Sequence, residues 1–342
     1  MSKQLTILYA GMLWEGSTCL ERMHSLIQLG CEVIPFDTMP WIAAGSRWRR
    51  SLSSRFHWGA SVEGLNEALR VFSRRLMPVT HLWVDKGQWI YPETLIDIRA
   101  RTRATLVHYT PDAQLLLHQS RHFRACIPLY DVVVTTKPFE IDLYKDAGAR
   151  QVVLVLQGYD DRFAPLVPTE EDRARLGSDV CFVGHCESHY AGRLNRARRA
   201  AERLRIWGPR WTRYRWFHPW AWSCVVGEGV WGRQYPLTLA SARIALGLLS
   251  KRIPETTTTR TFEIPAMGVF MLAERTEDHL ALFSEGVEAD FFGSDEELQD
   301  KLDFYLRHDS LRERIASAGR ERCLRSGYHS RDQLNRVLQQ VA

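Results

Sequence analysis

The segment SKRIPETTTTRTFEIPAMGVFML, residues 250–272, is the most informative stretch of the 342-residue chain. It follows an apolar run at residues 244–249, crosses a polar, threonine-rich loop and enters a second apolar run at residues 269–273. A short helix is expected between the two runs, at residues 262–266. Two strands joined through a helix are typical of a parallel sheet, because parallel neighbours need a crossover connection. The segment therefore predicts an α/β fold.

The rest of the chain alternates in the same way. A first βαβ unit is predicted from a strand at residues 5–10, a helix at 19–29 and a strand at 31–36. Further strands are predicted at residues 81–85, 104–108, 131–135, 151–156, 179–184 and 204–207. Further helices are predicted at residues 62–75, 92–101, 140–147, 236–241, 295–308, 310–326 and 330–341.

The two halves of the chain are similar in kind, which favours two Rossmann-like parallel-sheet domains facing across a cleft. A polar, proline-containing stretch at residues 164–178 is the expected linker. The expected division is an N-terminal domain at 1–168, a C-terminal domain at 169–328, and a C-terminal helix at 329–342 that could pack back on the first domain.

Composition is that of an ordinary globular protein, with 45% hydrophobic and 25% charged residues. No apolar run approaches the roughly 20 residues that span a bilayer, and the first strand begins without a signal-peptide pattern, so a cytoplasmic protein is expected. The seven cysteines are scattered and form no CxxC pair, which indicates neither a zinc site nor a disulfide framework.

The loop and helix of the opening segment carry groups suited to phosphate. The first N–H groups of the helix, near Thr261 or Phe262, lack partners within it and lie at the positive end of its dipole. Hydroxyl groups and one guanidinium lie beside them, at Thr257, Thr258, Thr259, Thr261 and Arg260. Glu263 has two interpretations that the residues alone leave open, a carboxylate that stabilises the helix dipole or one that accepts the two hydroxyls of a ribose.

Several motifs of the chain resemble a known family. Glu255 and Glu263 have the spacing of the E-x7-E region of retaining GT-B glycosyltransferases. RTFEIPA at residues 260–266, with LAERT at 272–276, closely resembles the spore-maturation (CgeB-like) glycosyltransferases. The resemblance extends over nearly all the chain, through DKG at 85–87, YPET at 91–94, YDVVVTTK at 130–137, QGYD at 157–160, FVGH at 182–185, WGPRW at 207–211 and EADFF at 288–292.

This resemblance implies a GT-B fold with a donor site in the C-terminal domain. Glu263 would bind the nucleotide ribose, and Glu255 would lie close to the donor sugar and is assigned to catalysis. Lys251 and Arg252 would neutralise the leaving diphosphate without a metal. The remaining expected donor-binding residues are Gly184, His185, Arg193, Tyr235, Thr259, Arg260, Thr261 and Phe262.

The N-terminal domain is expected to be the acceptor-side domain. In related enzymes a histidine at the position of His108 contacts the transferred sugar or the acceptor, and an imidazole there can donate a hydrogen bond or take a proton. Asp112 could orient His108 or bind an acceptor hydroxyl. The alternative for His108 is a strand-end histidine bonded to backbone. Gly11 and the turn Gly16, Ser17 and Thr18 are expected to face the cleft and hold acceptor or donor phosphate.

No metal or cofactor is expected. His118 and His122 have the spacing that places two imidazoles on one helix face, as do His185 and His189, but neither pair has an evident third ligand. No Asp-x-Asp motif lies in a strand-end loop of the kind that carries a donor-bound cation. A UDP-, GDP- or dTDP-linked sugar is expected as a substrate.

The predicted function is a retaining, metal-independent glycosyltransferase that moves a sugar from a nucleotide diphosphate to an acceptor hydroxyl. The alternatives are a GT-B sugar-nucleotide epimerase and an inactive protein that binds sugar nucleotides or glycans. The acceptor is left open between a polysaccharide, a lipid-linked sugar, a protein, a small molecule and a modified nucleic acid.

Two stretches rich in tryptophan and arginine, residues 41–58 and 207–222, have no assigned role. They could meet an anionic lipid surface, nucleic acid or a carbohydrate acceptor, or they could be solvated loops with a few anchoring tryptophans. No nucleic-acid-binding motif is present, so nucleic acid is not an expected partner, whereas peripheral membrane contact is left open.

Overall fold

The computed structural model describes residues 4–44, 46, 48, 55–76 and 78–341. The arginines at positions 47, 49 and 50, which belong to the first tryptophan- and arginine-rich stretch, lie outside these residues. The chain divides into two compact units. The first runs up to Gln157 and includes the segment from Ser330 onward, and the second is Gly158–His329.

The first unit is built on a six-stranded parallel sheet with strand order β2-β1-β3-β4-β5-β6. Its strands are β1 (Thr6–Gly11), β2 (Glu32–Asp37), β3 (His81–Asp85), β4 (Thr105–Thr110), β5 (Val132–Thr135) and β6 (Val152–Leu154). Its helices are α1 (Thr18–Gln28), α2 (Met39–Ile42), α3 (Ala60–Arg75), α4 (Pro92–Thr102), α5 (Gln114–Leu117), α6 (Arg121–Cys126), α7 (Ile141–Asp146) and the last helix of the chain, α16 (Ser330–Val341).

The last helix, α16, is part of the first unit. It packs against α1, and its residues Leu334 and Val337 share a buried apolar cluster with Met23 and Leu26 of α1. The unit boundary therefore lies at Gln157 and Ser330, whereas the sequence placed the first boundary at residue 168. The expected linker at residues 164–178 contains a helix, Glu170–Leu176, and ends at the first residue of a strand, Ser178.

The second unit holds another six-stranded parallel sheet, with strand order β12-β11-β10-β7-β8-β9. Its strands are β7 (Ser178–Val183), β8 (Leu204–Trp207), β9 (Val225–Gly227), β10 (Ala242–Gly247), β11 (Phe270–Glu274) and β12 (Asp290–Phe292). Its helices are α8 (Glu170–Leu176), α9 (Ser188–Ala197), α10 (Trp211–Tyr214), α11 (Gln234–Ala240), α12 (Arg260–Ala266), α13 (Glu277–Leu282), α14 (Asp295–Tyr305) and α15 (Asp309–Arg325).

The strand order of the second sheet is that of the Rossmann fold. Strands β7 to β9 extend the sheet to one side and β10 to β12 extend it to the other, so the switch point lies between β7 and β10. Open α/β sheets bind ligands beyond the carboxyl ends of their strands at such a switch point. In the second unit this places the candidate site after Val183 and Gly247, the last residues of β7 and β10. The predicted α/β fold with two Rossmann-like parallel sheets is confirmed.

Candidate functional site

Arg260 connects the two strand ends at the switch point of the second sheet. Its guanidinium donates hydrogen bonds to the carbonyl oxygens of Val183, at 3.2 Å, and Leu248, at 2.7 Å. The same group lies 5.3 Å from the centre of the Phe182 ring. These contacts fix a positive charge at the carboxyl edge of the sheet, where α12 begins.

The turn after β7 comes close to the turn after β8. Trp211 donates from its indole nitrogen to the carbonyl oxygen of Gly184, at 2.8 Å. A Cβ on Gly184 would lie 3.0 Å from a guanidinium nitrogen of Arg260, and a Cβ on Gly208 would lie 1.9 Å from the Gly184 carbonyl oxygen. Glycine at both positions therefore permits the close backbone approach that the sequence predicts for Gly184. His185, the next residue, is exposed.

Glu263 lies in the first turn of α12 and is only 5% exposed. Burial raises the pKa of its carboxyl group to about 7, and a hydrogen bond from Tyr235 opposes part of that rise. The Tyr235 hydroxyl donates to Oε2 of Glu263 at 2.7 Å. Tyr235 also packs edge-on against Phe163, with ring centres 5.5 Å apart. Two residues predicted separately as donor-binding thus form one hydrogen-bonded pair.

The threonine side chains at the start of α12 do not all face solvent. The Thr261 hydroxyl lies 3.1 Å from the Thr258 amide, which donates to it, and 2.9 Å from Nε2 of His279. It therefore supports the loop from within, and Thr261 is buried. Phe262 is fully buried and packs edge-on against Tyr328. The donor contacts predicted for Thr261 and Phe262 are not supported by this placement, because both side chains are used in the interior.

A cluster of charged side chains lies at the carboxyl ends of β7, β10 and β11. Glu274, the last residue of β11, accepts hydrogen bonds from Lys251, at 2.5 Å, and from the Leu249 amide, at 2.8 Å. Arg193 of α9 lies 2.6 Å from Oε1 of Glu274, the oxygen that also accepts from Leu249, and 3.2 Å from Asp295. Burial raises the pKa of Glu274, but the hydrogen bonds from Arg193 and Lys251 outweigh it and hold the pKa below its usual range.

These ion pairs bear on the predicted roles of Arg193 and Lys251. Both were predicted to meet the donor diphosphate, and both are paired with Glu274 in the structure. Lys251 keeps about half of its side chain exposed, at 52%, so it remains at the surface of the site. Arg252 beside it is exposed.

Glu187 joins the same cluster from the start of α9. Its carboxylate accepts hydrogen bonds from the Ser250 hydroxyl, at 2.9 and 3.0 Å, and lies 2.8 Å from Nε2 of His185. The Ser250 amide donates to Glu255 at 3.0 Å. The structure thus brings Glu255, His185 and Lys251 to one edge of the second sheet, as the sequence predicts.

Two members of the cluster, Glu187 and Glu274, were missed in the sequence. The position of Glu274 at the end of an apolar strand was an available signal, because strand ends meet at the ligand edge of a parallel sheet. Glu187 had no such signal, since its partner Ser250 lies 63 residues away in the chain.

In the first unit the corresponding switch point lies between β1 and β3 and is occupied by an ion pair. Arg22 of α1 donates two hydrogen bonds to Asp85, at 2.6 and 2.9 Å, and the Tyr9 hydroxyl donates a third at 2.6 Å. Gly11 is buried beside them, and a Cβ there would lie 3.3 Å from Cβ of Asp85. Gly11 is therefore needed for packing against Asp85, the first residue of the motif DKG at residues 85–87.

The turn at Gly16, Ser17 and Thr18 starts α1. Gly16 has a φ of 89°, and the Ser17 hydroxyl accepts a hydrogen bond from the Cys19 amide as the N-cap of the helix. Thr18 is the first residue of α1. The Ser17 hydroxyl already serves as the cap of this helix. The predicted contact of the three residues with phosphate stays a prediction.

His108 does not face a surface. It is 0% exposed, and its ring packs between Phe123, with centres 4.6 Å apart, and Tyr130, at 5.2 Å. Burial lowers the pKa of its imidazole to about 4. Among the described residues neither ring nitrogen has a hydrogen-bond partner of good geometry. This core position does not support the predicted substrate-facing imidazole. The backbone of Lys86 interacts with the ring and raises its pKa against the effect of burial, which agrees with the alternative of a histidine bonded to backbone.

Asp112 is paired differently from the prediction. Its carboxylate lies 2.8 Å from the ammonium group of Lys86, in the loop after β3, so it does not orient His108. Burial raises the pKa of Asp112, and the charge of Lys86 outweighs it to hold the pKa below its usual range. Lys86 has a left-handed backbone, with φ at 67°, which places its side chain across the loop after β4.

Residues 191–339 match the family model described as "Glycosyl transferase-like". A comparison with curated protein sequences gave no match. No helix among the described residues is long and apolar enough to cross a bilayer.

Solved structures resemble the chain over nearly its full length. A sucrose-phosphate synthase from Thermosynechococcus elongatus is 12% identical, with a TM-score of 0.69 and coverage of 98% of this chain and 99% of that one. HepE from Anabaena in complex with UDP and glucose is 14% identical, with a TM-score of 0.63 and coverage of 98% and 100%. An alpha-glucosyltransferase in complex with UDP and a 13-mer DNA containing an HMU base is 12% identical, with a TM-score of 0.66 and coverage of 99% and 100%. These likenesses identify the fold as GT-B.

Proposed function

We propose that this chain, a glycosyltransferase of the GT-B fold, moves a sugar from a nucleotide diphosphate to an acceptor hydroxyl with retention of configuration and without a metal. The observation that carries the proposal is the buried carboxylate of Glu263, held by Tyr235 at the carboxyl edge of a Rossmann-type sheet. A buried carboxylate on an α/β ligand edge suits the paired hydroxyls of a ribose. The sequence resemblance to the CgeB-like glycosyltransferases supports the same assignment.

The proposed donor is a UDP-, GDP- or dTDP-linked sugar. The second unit supplies Glu263 for the ribose and Arg260 as the fixed charge nearest the turn at Gly184. Lys251 and Arg252 are proposed to approach the diphosphate from the loop after β10. Positive groups that are already in place stabilise a departing diphosphate without reorganising during the reaction.

Retention and metal independence are proposed from the E-x7-E spacing and the basic side chains. Glu255 is proposed to lie beside the donor sugar, with its carboxylate oriented by the Ser250 amide. Support for a metal-free leaving group comes from Lys251 and Arg252, because fixed cations can take the charge that a divalent ion would otherwise neutralise.

The function is tested by incubating the full chain with a panel of UDP-, GDP- and dTDP-sugars and measuring released nucleotide and free sugar. Slow donor hydrolysis with one nucleotide identifies a transferase and its donor class, and chelation by EDTA should leave the rate unchanged. The anomer first released, read by NMR, reports retention or inversion.

Two other outcomes would replace the proposal. Interconversion of sugars on an intact nucleotide would make the protein an epimerase. A thermal shift with one sugar nucleotide but no turnover would make it a binding protein.

A further inference from the structure

The chain between β8 and β9 carries large aromatic side chains on its surface. Residues 211–222 contain the short helix α10 and a 3-10 turn at Pro219–Trp222. Trp216 is 69% exposed, Phe217 is 75% exposed and Trp222 is 47% exposed. The proposed donor site uses none of these three rings, so their exposure to water is unexplained by that function.

The segment that carries the exposed rings is attached to the second unit by buried residues. Trp211 at the start of α10 is fully buried and donates to the Gly184 carbonyl, and Ala221 in the 3-10 turn is also fully buried. Trp216 packs edge-on against Trp222, with ring centres 4.9 Å apart and an interplanar angle of 86°. The segment is therefore already ordered in the free protein. Contact of its exposed rings with a partner should cost little further conformational entropy.

The same segment is basic. From position 210 to position 233 the chain contains a single acidic residue, Glu228, and four arginines, Arg210, Arg213, Arg215 and Arg233. Arg210, Arg213 and Arg233 are exposed. The guanidinium of Arg215 lies 4.6 Å from the centre of the Trp222 ring. Exposed tryptophan and phenylalanine rings thus share one short segment with positive charge.

We infer that this tip, residues 213–222, is a membrane-interface surface that holds the protein on a bilayer carrying anionic lipids. Tryptophan and arginine are the residues favoured at the boundary between headgroups and acyl chains, where one end of a side chain is apolar and the other is polar. Basic residues near an anionic leaflet add electrostatic attraction to the binding. Apolar rings and positive charge on one exposed segment meet both requirements.

The ring geometry favours a membrane over a nucleic acid or a glycan. Stacking of a base or a sugar needs an open aromatic face. Trp222 has the Arg215 guanidinium over its ring, and its contact with Trp216 is edge-on, so the pair does not form a flat platform. An acyl-chain boundary makes no such demand on ring orientation, because burial of apolar area is not directional.

The test is cosedimentation of the full chain with vesicles of phosphatidylcholine alone and of phosphatidylcholine and phosphatidylglycerol in equal parts. The chain should bind the anionic vesicles, and the double variant Trp216→Ser/Phe217→Ser should bind them more weakly by at least about tenfold, because each ring contributes about that factor when fully buried. Arg213→Glu should weaken the preference for anionic vesicles and keep the rings.

A control removes two exposed apolar side chains elsewhere on the second unit. Val287→Ser/Leu324→Ser replaces two side chains that are 58% and 57% exposed, and it should bind as the unchanged chain does. Equal vesicle binding by the Trp216/Phe217 variant and the unchanged chain would overturn the inference, and so would no vesicle binding at all. Binding of a labelled DNA or polysaccharide that only the Trp216/Phe217 variant loses would assign the tip to that partner instead.

Discussion

The phenolic hydroxyl of Tyr235 donates a 2.7 Å hydrogen bond to Oε2 of Glu263. The two residues come from α11 and α12, helices that precede and follow β10. Burial raises the pKa of Glu263 to about 7, far above its ordinary value of 4.5, even though the bond from Tyr235 opposes the rise. The carboxyl group therefore changes charge near neutral pH, and this gives the candidate site a measurable pH dependence.

Stability should fall as pH rises through the range between the unfolded and folded pKa values of Glu263. The folded state binds the proton more tightly, so its advantage is complete below about pH 4.5 and lost above about pH 7. The difference is on the order of 3 kcal/mol, since each pKa unit corresponds to about 1.4 kcal/mol. Urea unfolding at about pH 5 and about pH 8 measures it.

The control for this prediction is Glu263→Gln, which cannot titrate. Burial also raises the pKa of Glu140 to about 7, so only the difference between the unchanged chain and the variant isolates Glu263. A variant whose stability falls with pH as steeply as that of the unchanged chain would show that Glu263 titrates normally.

Nucleotide affinity should follow the same carboxyl group with the opposite dependence on pH. If charged Glu263 accepts the ribose hydroxyls, binding must first remove its proton, so affinity for the preferred nucleotide weakens by about tenfold per pH unit below about pH 7. Glu263→Gln should lose about tenfold to a hundredfold in affinity at pH 8, the scale of one or two charge-assisted hydrogen bonds. Calorimetry with UDP, GDP and dTDP measures both effects, and equal affinity of variant and unchanged chain would remove Glu263 from the site.

The fold was largely predictable because most strands of the two sheets are buried runs of apolar residues, whereas the edge strands β2, β6 and β9 are partly exposed. Strand β3, for example, is buried at all five positions, and its borders are polar. Strands β9 and β12 were missed because neither three-residue strand lies in a longer apolar run, as β6 does at residues 152–156. Helix α9 was missed because its buried face is interrupted by polar and basic side chains in only ten residues.

The site was predictable where one local motif contains it and not where distant residues meet. Arg260 and Glu263 lie within RTFEIPA and were both found. The pairing of Glu274 with Arg193 joins residues from β11 and α9, and no local spacing encodes it. His108 was misplaced because a strand buried on both faces has no polar alternation to show which side chains point inward.

Glu274 should be a structural anchor of the site. Glu274→Gln removes the charge shared by Arg193 and Lys251 and should lower the free energy of unfolding by about 3 kcal/mol, because it leaves a largely buried guanidinium with less compensation. The matched control is Lys251→Met, which breaks the exposed half of the cluster and should cost under about 1 kcal/mol. Urea unfolding of both variants checks the prediction, and equal losses would contradict the assignment of the buried half to Arg193.

His108 should make the protein less stable in acid. Burial depresses its pKa from 6.5 to about 4, so its contribution is complete above about pH 6.5 and is lost as pH falls toward 4. His108→Phe keeps an aromatic ring between Phe123 and Tyr130 and should flatten the stability profile over this range. Unfolding curves at about pH 4.5 and about pH 6.5 measure the change. A steep profile retained in the variant would mean that other groups set the acid limit.

Gly208 should be intolerant of any side chain. Its φ of 148° is unfavourable for other residues, and a Cβ there would lie 1.9 Å from the carbonyl oxygen of Gly184. Gly208→Ala must push the turn after β7 away from the turn after β8, which should cost about 3 kcal/mol of stability and weaken nucleotide binding along with it. Gly192→Ala is the control, because Gly192 lies within α9 and a Cβ there meets nothing within 4 Å. That variant should be as stable as the unchanged chain or slightly more so, since alanine loses less backbone entropy in a helix. Thermal unfolding with and without the preferred nucleotide compares the two, and normal nucleotide stabilisation of Gly208→Ala would show that the turn at Gly184 does not approach the donor.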